Sequence, residues 1–87
     1  MQQKKRMAFV LVTFPKKSRT LLDVVAILSE FESIFIGSIQ VSDKENKETL
    51  FGILVRATMD ELGALTGPMG KIHDVKVKSA ILPADEE

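Results

Sequence analysis

The sequence predicts an α+β domain whose strands and helices follow in the order βαββαβ. Two apolar stretches, residues 7–14 and 50–57, are short and rich in β-branched and aromatic residues, as buried strands are. Over residues 18–32 apolar side chains recur every three or four positions, which is the period of an amphipathic helix. Over residues 75–81 apolar and polar residues alternate, which is typical of a strand with one solvated face.

Length and composition limit the classes of protein. The 87 residues suffice for one domain, expected over 7–82, between a basic tail (1–6) and an acidic tail (83–87). Twelve Lys and Arg balance twelve Asp and Glu, so the net charge of zero gives no general attraction to nucleic acid or anionic membranes. No apolar stretch is long enough to span a membrane, and we expect a cytoplasmic protein.

The remaining elements follow from local signals. The second strand is expected over 34–41, and the charged stretch 42–48 is expected to be a solvated loop. Thr58, with Glu61 three residues later, has the pattern of a capping box and opens the second helix. Pro68 predicts that this helix ends or kinks early, with Gly70 as its C-cap.

The faces of the strands predict the order of the sheet. In a ferredoxin-like fold the antiparallel order is 4-1-3-2, and both helices cover one face. The first and third strands are apolar on both faces, as central strands should be, whereas Ser38, Gln40, Lys76 and Lys78 lie on the edge strands. Apolar side chains on the uncovered face indicate an interface, so we expect this face or an edge of the sheet to be buried in a homo-oligomer, a dimer or a tetramer. Phe9 and Ile53 are candidates for the interface or for close packing. A ligand or a separate partner protein on that face is the alternative.

The most specific residues lie in the second helix and the last strand. They run Gly63-Ala64-Leu65-Thr66-Gly67, then Gly70 and Ile72, then Val75-Lys76-Val77-Lys78. This pattern resembles that of the iron-only hydrogenase system regulators, and a looser resemblance extends over residues 5–82. Those proteins are ACT-like domains, related in fold to the C-terminal domain of the nickel-responsive repressor. The resemblance implies an ACT-like fold and a regulatory or sensory module, although the nickel ligands and DNA-binding arm of the repressor have no counterpart here.

The turn between the first strand and the first helix is a candidate effector site. It combines cations and hydroxyl groups with a helix N-terminus, whose free N–H groups favour a carboxylate or phosphate. The residues are Lys16, Lys17, Ser18, Arg19 and Thr20. The resemblance supports this site, because ACT-like domains often bind effectors there. Such domains usually have a glycine in this turn, which this chain lacks, and a solvated turn would explain the same residues.

The other chemistry-bearing residues favour structural roles. Gly63, Gly67 and Gly70 predict close packing of the second helix against the sheet or a partner helix, with a backbone nest for a small anion as the alternative. His73 is the only histidine and is expected in a turn, so no metal site and no cofactor are expected. One histidine and no cysteine cannot assemble a nucleophile, a base and an orienting acid, so we expect no enzyme activity.

Two further function classes share this fold. One is a structural oligomerisation or protein-docking domain without a ligand. The other is an RNA-recognition module, which stacks bases on strand aromatics and has a basic surface. The third strand has a single aromatic residue, Phe51, and the net charge is zero, so nucleic-acid binding is not expected.

Overall fold

The computed structural model describes residues 4–16 and 18–83, without the side chain of Ser18. The elements in chain order are β1 (Arg6–Pro15), α1 (Ser18–Ser29), a 3-10 turn (Glu32–Ile34), β2 (Phe35–Asp43), β3 (Glu48–Ala57), α2 (Met59–Gly70) and β4 (Lys76–Ile81). The predicted order βαββαβ is therefore confirmed. Of the two predicted tails, residues 1–3 and 84–87 lie outside the described residues, and Arg6 belongs to β1.

The strands form one antiparallel sheet in the order β2-β3-β1-β4, which is the predicted 4-1-3-2 arrangement. β1 lies between β3, where Val10 pairs with Ile53, and β4, where Val12 pairs with Val77. β2 pairs with the outer side of β3, with an irregularity between Phe35 and Gly37. β2 and β4 are therefore the edges of the sheet.

The core lies between the sheet and the helices. Because successive side chains of a strand point to opposite faces, alternate residues of β1 and β3 are buried on the helix side. They are Ala8, Val10, Val12, Phe14, Phe51, Ile53, Val55 and Ala57. α1 adds Val24, and α2 adds Leu62, Leu65 and Met69. The rings of Phe14 and Phe51 meet edge to face with their centroids 5.7 Å apart.

The capping box at the start of α2 is confirmed. Thr58 Oγ1 accepts a hydrogen bond from the N–H of Glu61 at 3.1 Å, and Glu61 Oε1 accepts one from the N–H of Thr58 at 2.8 Å. The predicted early end of the helix is wrong, because α2 continues past Pro68 and Lys71, not Gly70, is its C-cap. Pro68 is exposed in the last turn, so it removes one hydrogen bond without a steric conflict in the core.

α1 is shorter than its apolar period predicted. It ends at Ser29 rather than at residue 32. The N–H groups of Glu30 and Phe31 bond to carbonyls three residues back, at 3.1 and 3.0 Å, so the chain tightens into the 3-10 turn. This turn buries Ile34 directly before β2.

The predicted loop at 42–48 is a compact turn over 44–47, because β2 reaches Asp43 and β3 begins at Glu48. The Asp43 carboxylate closes the turn. Its Oδ1 accepts from the N–H groups of Glu45 at 3.1 Å and Asn46 at 3.3 Å, and its Oδ2 accepts from the Asn46 side-chain amide at 2.9 Å. An aspartate in this position offers local hydrogen bonds that compensate for the loss of strand pairing.

Candidate functional site

The sheet has a face that the described helices do not cover, which we call the open face. Strand alternation and register place on it Met7, Phe9, Leu11 and Thr13 of β1, Leu50, Gly52, Leu54 and Arg56 of β3, Gly37, Ile39 and Val41 of β2, and Lys76, Lys78 and Ala80 of β4. Phe9 is 40% exposed and Ile39 is 61% exposed. β1 and β3 thus carry apolar side chains on both faces, as the sequence predicted.

Ile53 does not lie on the open face. It is 1% exposed and pairs with Val10, which faces the helices. Of the two alternatives expected for Ile53, the interface is therefore corrected in favour of close packing, because its side chain is part of the core. The neighbouring Leu54 occupies the open-face position instead, opposite Phe9.

Phe9 stands between two apolar hollows of the open face. The larger, about 260 Å³, is lined by Phe9, Gly37, Ser38, Ile39, Gly52 and Leu54. The smaller, about 190 Å³, is lined by Met7, Ala8, Phe9, Leu54, Ala80 and Leu82. The larger hollow depends on Gly52, because a Cβ there would come within 2.5 Å of Cζ of Phe9. The absence of a side chain at Gly52 lets the Phe9 ring lie over the backbone of β3.

The candidate effector residues are only partly available in the β1–α1 turn. Lys16 and Arg19 are exposed, whereas Thr20 is buried. Lys17 and the side chain of Ser18 lie outside the described residues. The N–H of Lys16 donates to the carbonyl of Lys47 at 3.1 Å, which holds the turn against the β2–β3 hairpin.

The charges around this turn are of mixed sign. The pKa of Asp43 is lowered, chiefly by the hydrogen bond from the Asn46 side chain and then by its backbone N–H. The positive charge of Lys16 lowers the same pKa further. An anion bound at Lys16 would therefore lie near an ionised carboxylate, so a ligand with both an anionic and a cationic group suits this end of the sheet better than a simple anion.

The glycines of α2 do not mark a close contact within the chain. A Cβ at Gly63, Gly67 or Gly70 would meet no atom within 4 Å. The expectation that they allow α2 to approach the sheet is wrong, because Leu62 and Leu65 form that contact and the glycines are exposed. Contact with a partner helix of another chain stays a prediction.

A basic hollow at the other end of the sheet was missed by the sequence reasoning. It measures about 120 Å³ and is lined by Lys5, Arg6, Met7, Arg56, Leu82 and Pro83. Arg56 reaches it because it pairs with Met7 across β1 and β3. The sequence predicts a tail at Lys5 and Arg6, and only the strand register brings Arg56 to them.

The described residues hold neither a cluster of metal ligands nor a helix that could span a membrane. His73 lies in the turn before β4, with its Nε2 3.5 Å from Asp74 Oδ1. Among residues 4–16 and 18–83, no three histidine, cysteine or carboxylate side chains come together as metal ligands would. Neither α1 nor α2 has the length and apolar character that crossing a bilayer requires.

Comparison with known proteins identifies the family. The family model described as "TM1266-like: Iron-only hydrogenase system regulator, putative" matches residues 6–79. The uncharacterized protein TM1266 from Thermotoga maritima superposes with a TM-score of 0.88 at 21% identity, covering 92% of this chain and 100% of that one. No curated protein matches the chain.

The fold is shared more widely. The ACT domain from the GTP pyrophosphokinase of Chlorobium tepidum has a TM-score of 0.72 at 13% identity, over 88% of this chain and 100% of that chain. A formyltetrahydrofolate deformylase from Pseudomonas putida KT2440 has a TM-score of 0.61 at 11% identity, over 85% of this chain and 28% of that one. The resemblance seen in α2 and β4 is thereby confirmed: the chain belongs to the TM1266-like family and has the fold of an ACT domain.

Proposed function

We propose that the chain is an ACT-like regulatory module that self-associates and binds a small effector where two subunits meet. The observation that carries this proposal is the open face, where Phe9, Ile39 and Leu54 present apolar surface on the side of the sheet away from both described helices. A contiguous apolar face of this kind usually serves an interaction. The description of the family as regulators supports the same reading.

The effector is expected to carry a carboxylate or a phosphate. Lys16 and Arg19 are exposed at the start of α1, where backbone N–H groups and the helix dipole also favour negative charge. Asp43 at the adjoining hairpin can accept a hydrogen bond from a cationic group of the same molecule. An amino acid, which carries both charges, fits this combination.

Binding would regulate assembly by mass action. An effector that contacts two chains stabilises their complex, and at a hundred times its dissociation constant the gain is about 2.7 kcal/mol. For a domain of this size such a gain raises Tm by about 10–20 °C. An effect of that size is easily measured.

The test combines thermal denaturation with the solution mass from light scattering, in the presence of the standard amino acids, nucleotides and inorganic phosphate. We expect a dimer or tetramer whose Tm rises with at least one compound. The K16A/R19A variant should lose that shift, whereas K4A, which removes an exposed cation just before β1 at the opposite end of the sheet, should keep it. A monomer at micromolar concentration whose Tm responds to none of the compounds would contradict the proposal.

A structural or docking domain without a ligand is the second candidate, since the open face supports it equally. It predicts an oligomer whose Tm no compound changes. RNA binding has less support, because such modules stack two or three bases on sheet aromatics. Among the described residues of the open face Phe9 is the sole aromatic, and Phe51 is buried in the core. We expect no salt-dependent retardation of a labelled oligonucleotide.

A further inference from the structure

We infer that the open face is covered by the open face of a second copy of this chain, with the two-fold axis running along the strands between β3 and β1. This inference rests on the self-association in the proposed function and specifies its surface and geometry. It follows from the hollows beside Phe9, from the placement of the lysines and from the size of the face.

Strand register arranges the open face in rows across the sheet. In the order β2, β3, β1, β4, three successive rows are Gly37–Leu54–Phe9–Ala80, Ile39–Gly52–Leu11–Lys78 and Val41–Leu50–Thr13–Lys76. A two-fold axis along the strands keeps each row in place and reverses its order. Each β1 residue then faces the β3 residue of the same row in the second copy, and each β4 residue faces a β2 residue.

This exchange brings each Phe9 to the rim of a hollow on the second copy. Phe9 of one copy comes to lie over Leu54 of the second copy, at the rim of the hollow that Gly52 creates. Because the two-fold axis generates this contact twice, both Phe9 rings pack against the opposite copy in the same way. Leu11 faces Gly52 in the next row, where the Phe9 ring of the second copy covers the backbone, so Leu11 packs against that ring.

The charged side chains favour a two-fold axis along the strands over a perpendicular one that crosses the strands. Here Lys78 lies over Ile39 of the second copy and Lys76 lies over Val41, so the lysine stems cover the apolar edge while the ammonium groups reach solvent. The ammonium of Lys76 then lies beside Asp43, at the end of the same β2 strand. An axis across the strands, through the middle row, would instead place Lys78 over Lys78, where like charges repel.

The face is large enough for a dimer. Four strands spaced about 4.8 Å apart, carrying rows about 6.8 Å apart from Met7 to Pro15, present roughly 500 Å² per copy. Two copies together bury about 1,000 Å², which is where specific interfaces begin. One competing apolar surface is the outer side of α1, where Leu22 and Val25 are two exposed side chains on a single helix.

The first experiment compares two aspartate variants by light scattering. Phe9 is 40% exposed on the open face, and Val25 is 45% exposed on α1, so they are matched in exposure and differ in location. We expect a wild-type dimer, a monomeric F9D variant and a dimeric V25D variant, each with a folded circular dichroism spectrum. A monomeric V25D beside a dimeric F9D would overturn the inference.

The second experiment determines the direction of the two-fold axis relative to the strands, with variants that leave Phe9 unchanged. The chain has no cysteine, so I39C and K78C each introduce a single thiol at an exposed position. Within one chain these positions lie on opposite edges of the sheet, about 14 Å apart. A bis-maleimide reagent that spans the roughly 10 Å between stacked sheets should cross-link a mixture of the two variants into a dimer. Neither variant alone should cross-link.

The outcomes separate this inference from the proposed function. Cross-linking of I39C alone would show the perpendicular axis and overturn the geometry. A wild-type dimer that gives no cross-link in the mixture would overturn the open face as the interface, while the proposed function would stand. A wild-type monomer at micromolar concentration would overturn both the geometry and the self-association.

Discussion

The Phe9 ring lies against the backbone at Gly52. Whether Gly52→Ala raises or lowers the free energy of unfolding should therefore depend on the presence of Phe9. Glycine inside a strand costs about 0.5–1 kcal/mol relative to alanine, and Gly52 does not have a positive φ, so Gly52→Ala should ordinarily stabilise the fold. Here the added Cβ would lie 2.5 Å from Cζ of Phe9 and 3.1 Å from Cγ1 of Ile39. The Phe9 ring must therefore move.

The cost of moving the ring follows from its burial. A phenylalanine side chain buries about 150–250 Å² when fully covered, and Phe9 is partly covered already. Lifting the ring off β3 exposes roughly 40–80 Å², which costs about 1–2 kcal/mol at 25 cal/mol per Å². Replacing a strand glycine by alanine ordinarily gains about 0.5–1 kcal/mol, which offsets part of this cost. Gly52→Ala should therefore destabilise the protein by about 0.5–1 kcal/mol. With Phe9→Ala already present, the remaining close contact is Cγ1 of Ile39 at 3.1 Å, and this 61% exposed side chain can move aside. The same change should then stabilise the protein by about 0.5–1 kcal/mol.

Urea denaturation of the wild type, both single variants and the double variant gives the coupling energy. The four proteins are compared at one concentration and again after dilution, because a change in self-association also changes apparent stability. Gly37→Ala is the matched control, since a Cβ there meets no atom within 4 Å and should give the same result with or without Phe9. A coupling energy below about 0.5 kcal/mol would refute the contact, because residues that do not interact behave additively to that extent.

Three further outcomes are expected. Thr58→Ala removes an N-cap hydrogen bond and should lower the free energy of unfolding by about 1 kcal/mol in a urea titration; an unchanged midpoint would contradict the capping box. Asn46→Ala removes the main cause of the lowered pKa of Asp43, so that pKa should rise toward 3.8 in an NMR titration. The stabilisation from ionised Asp43, which is present above its unfolded pKa and lost as the pH falls through the folded value, should shrink accordingly. Gly63→Ala and Gly67→Ala should each raise the free energy of unfolding by about 0.5–1 kcal/mol, since no atom of the chain opposes the new methyl group. Loss of assembly in either glycine variant would instead show that α2 contacts a partner chain.

Local patterns in the sequence were sufficient to predict the order of the elements and of the strands. The periods of strands and helices differ, and the capping box joins residues only three positions apart, so these signals act over short distances along the chain. The strand order followed from a comparison of faces, because a strand with apolar side chains on both sides is stable only where it is covered. The turn at Asp43 was also visible as a charged stretch, although its length was overestimated.

The site itself depends on contacts between distant parts of the chain. In the third strand Ile53 and Leu54 are both apolar, and the local sign that Leu54 faces away from the helices is the charged Arg56, two residues further on. Pairing with Val10 settles this, and the same register brings Gly52 beside Leu11 and below the Phe9 ring. Residues more than forty positions apart meet in this way because hydrogen bonding between strands sets one register for all of them at once. No local pattern carries that information, and the hollows of the open face exist only because of it.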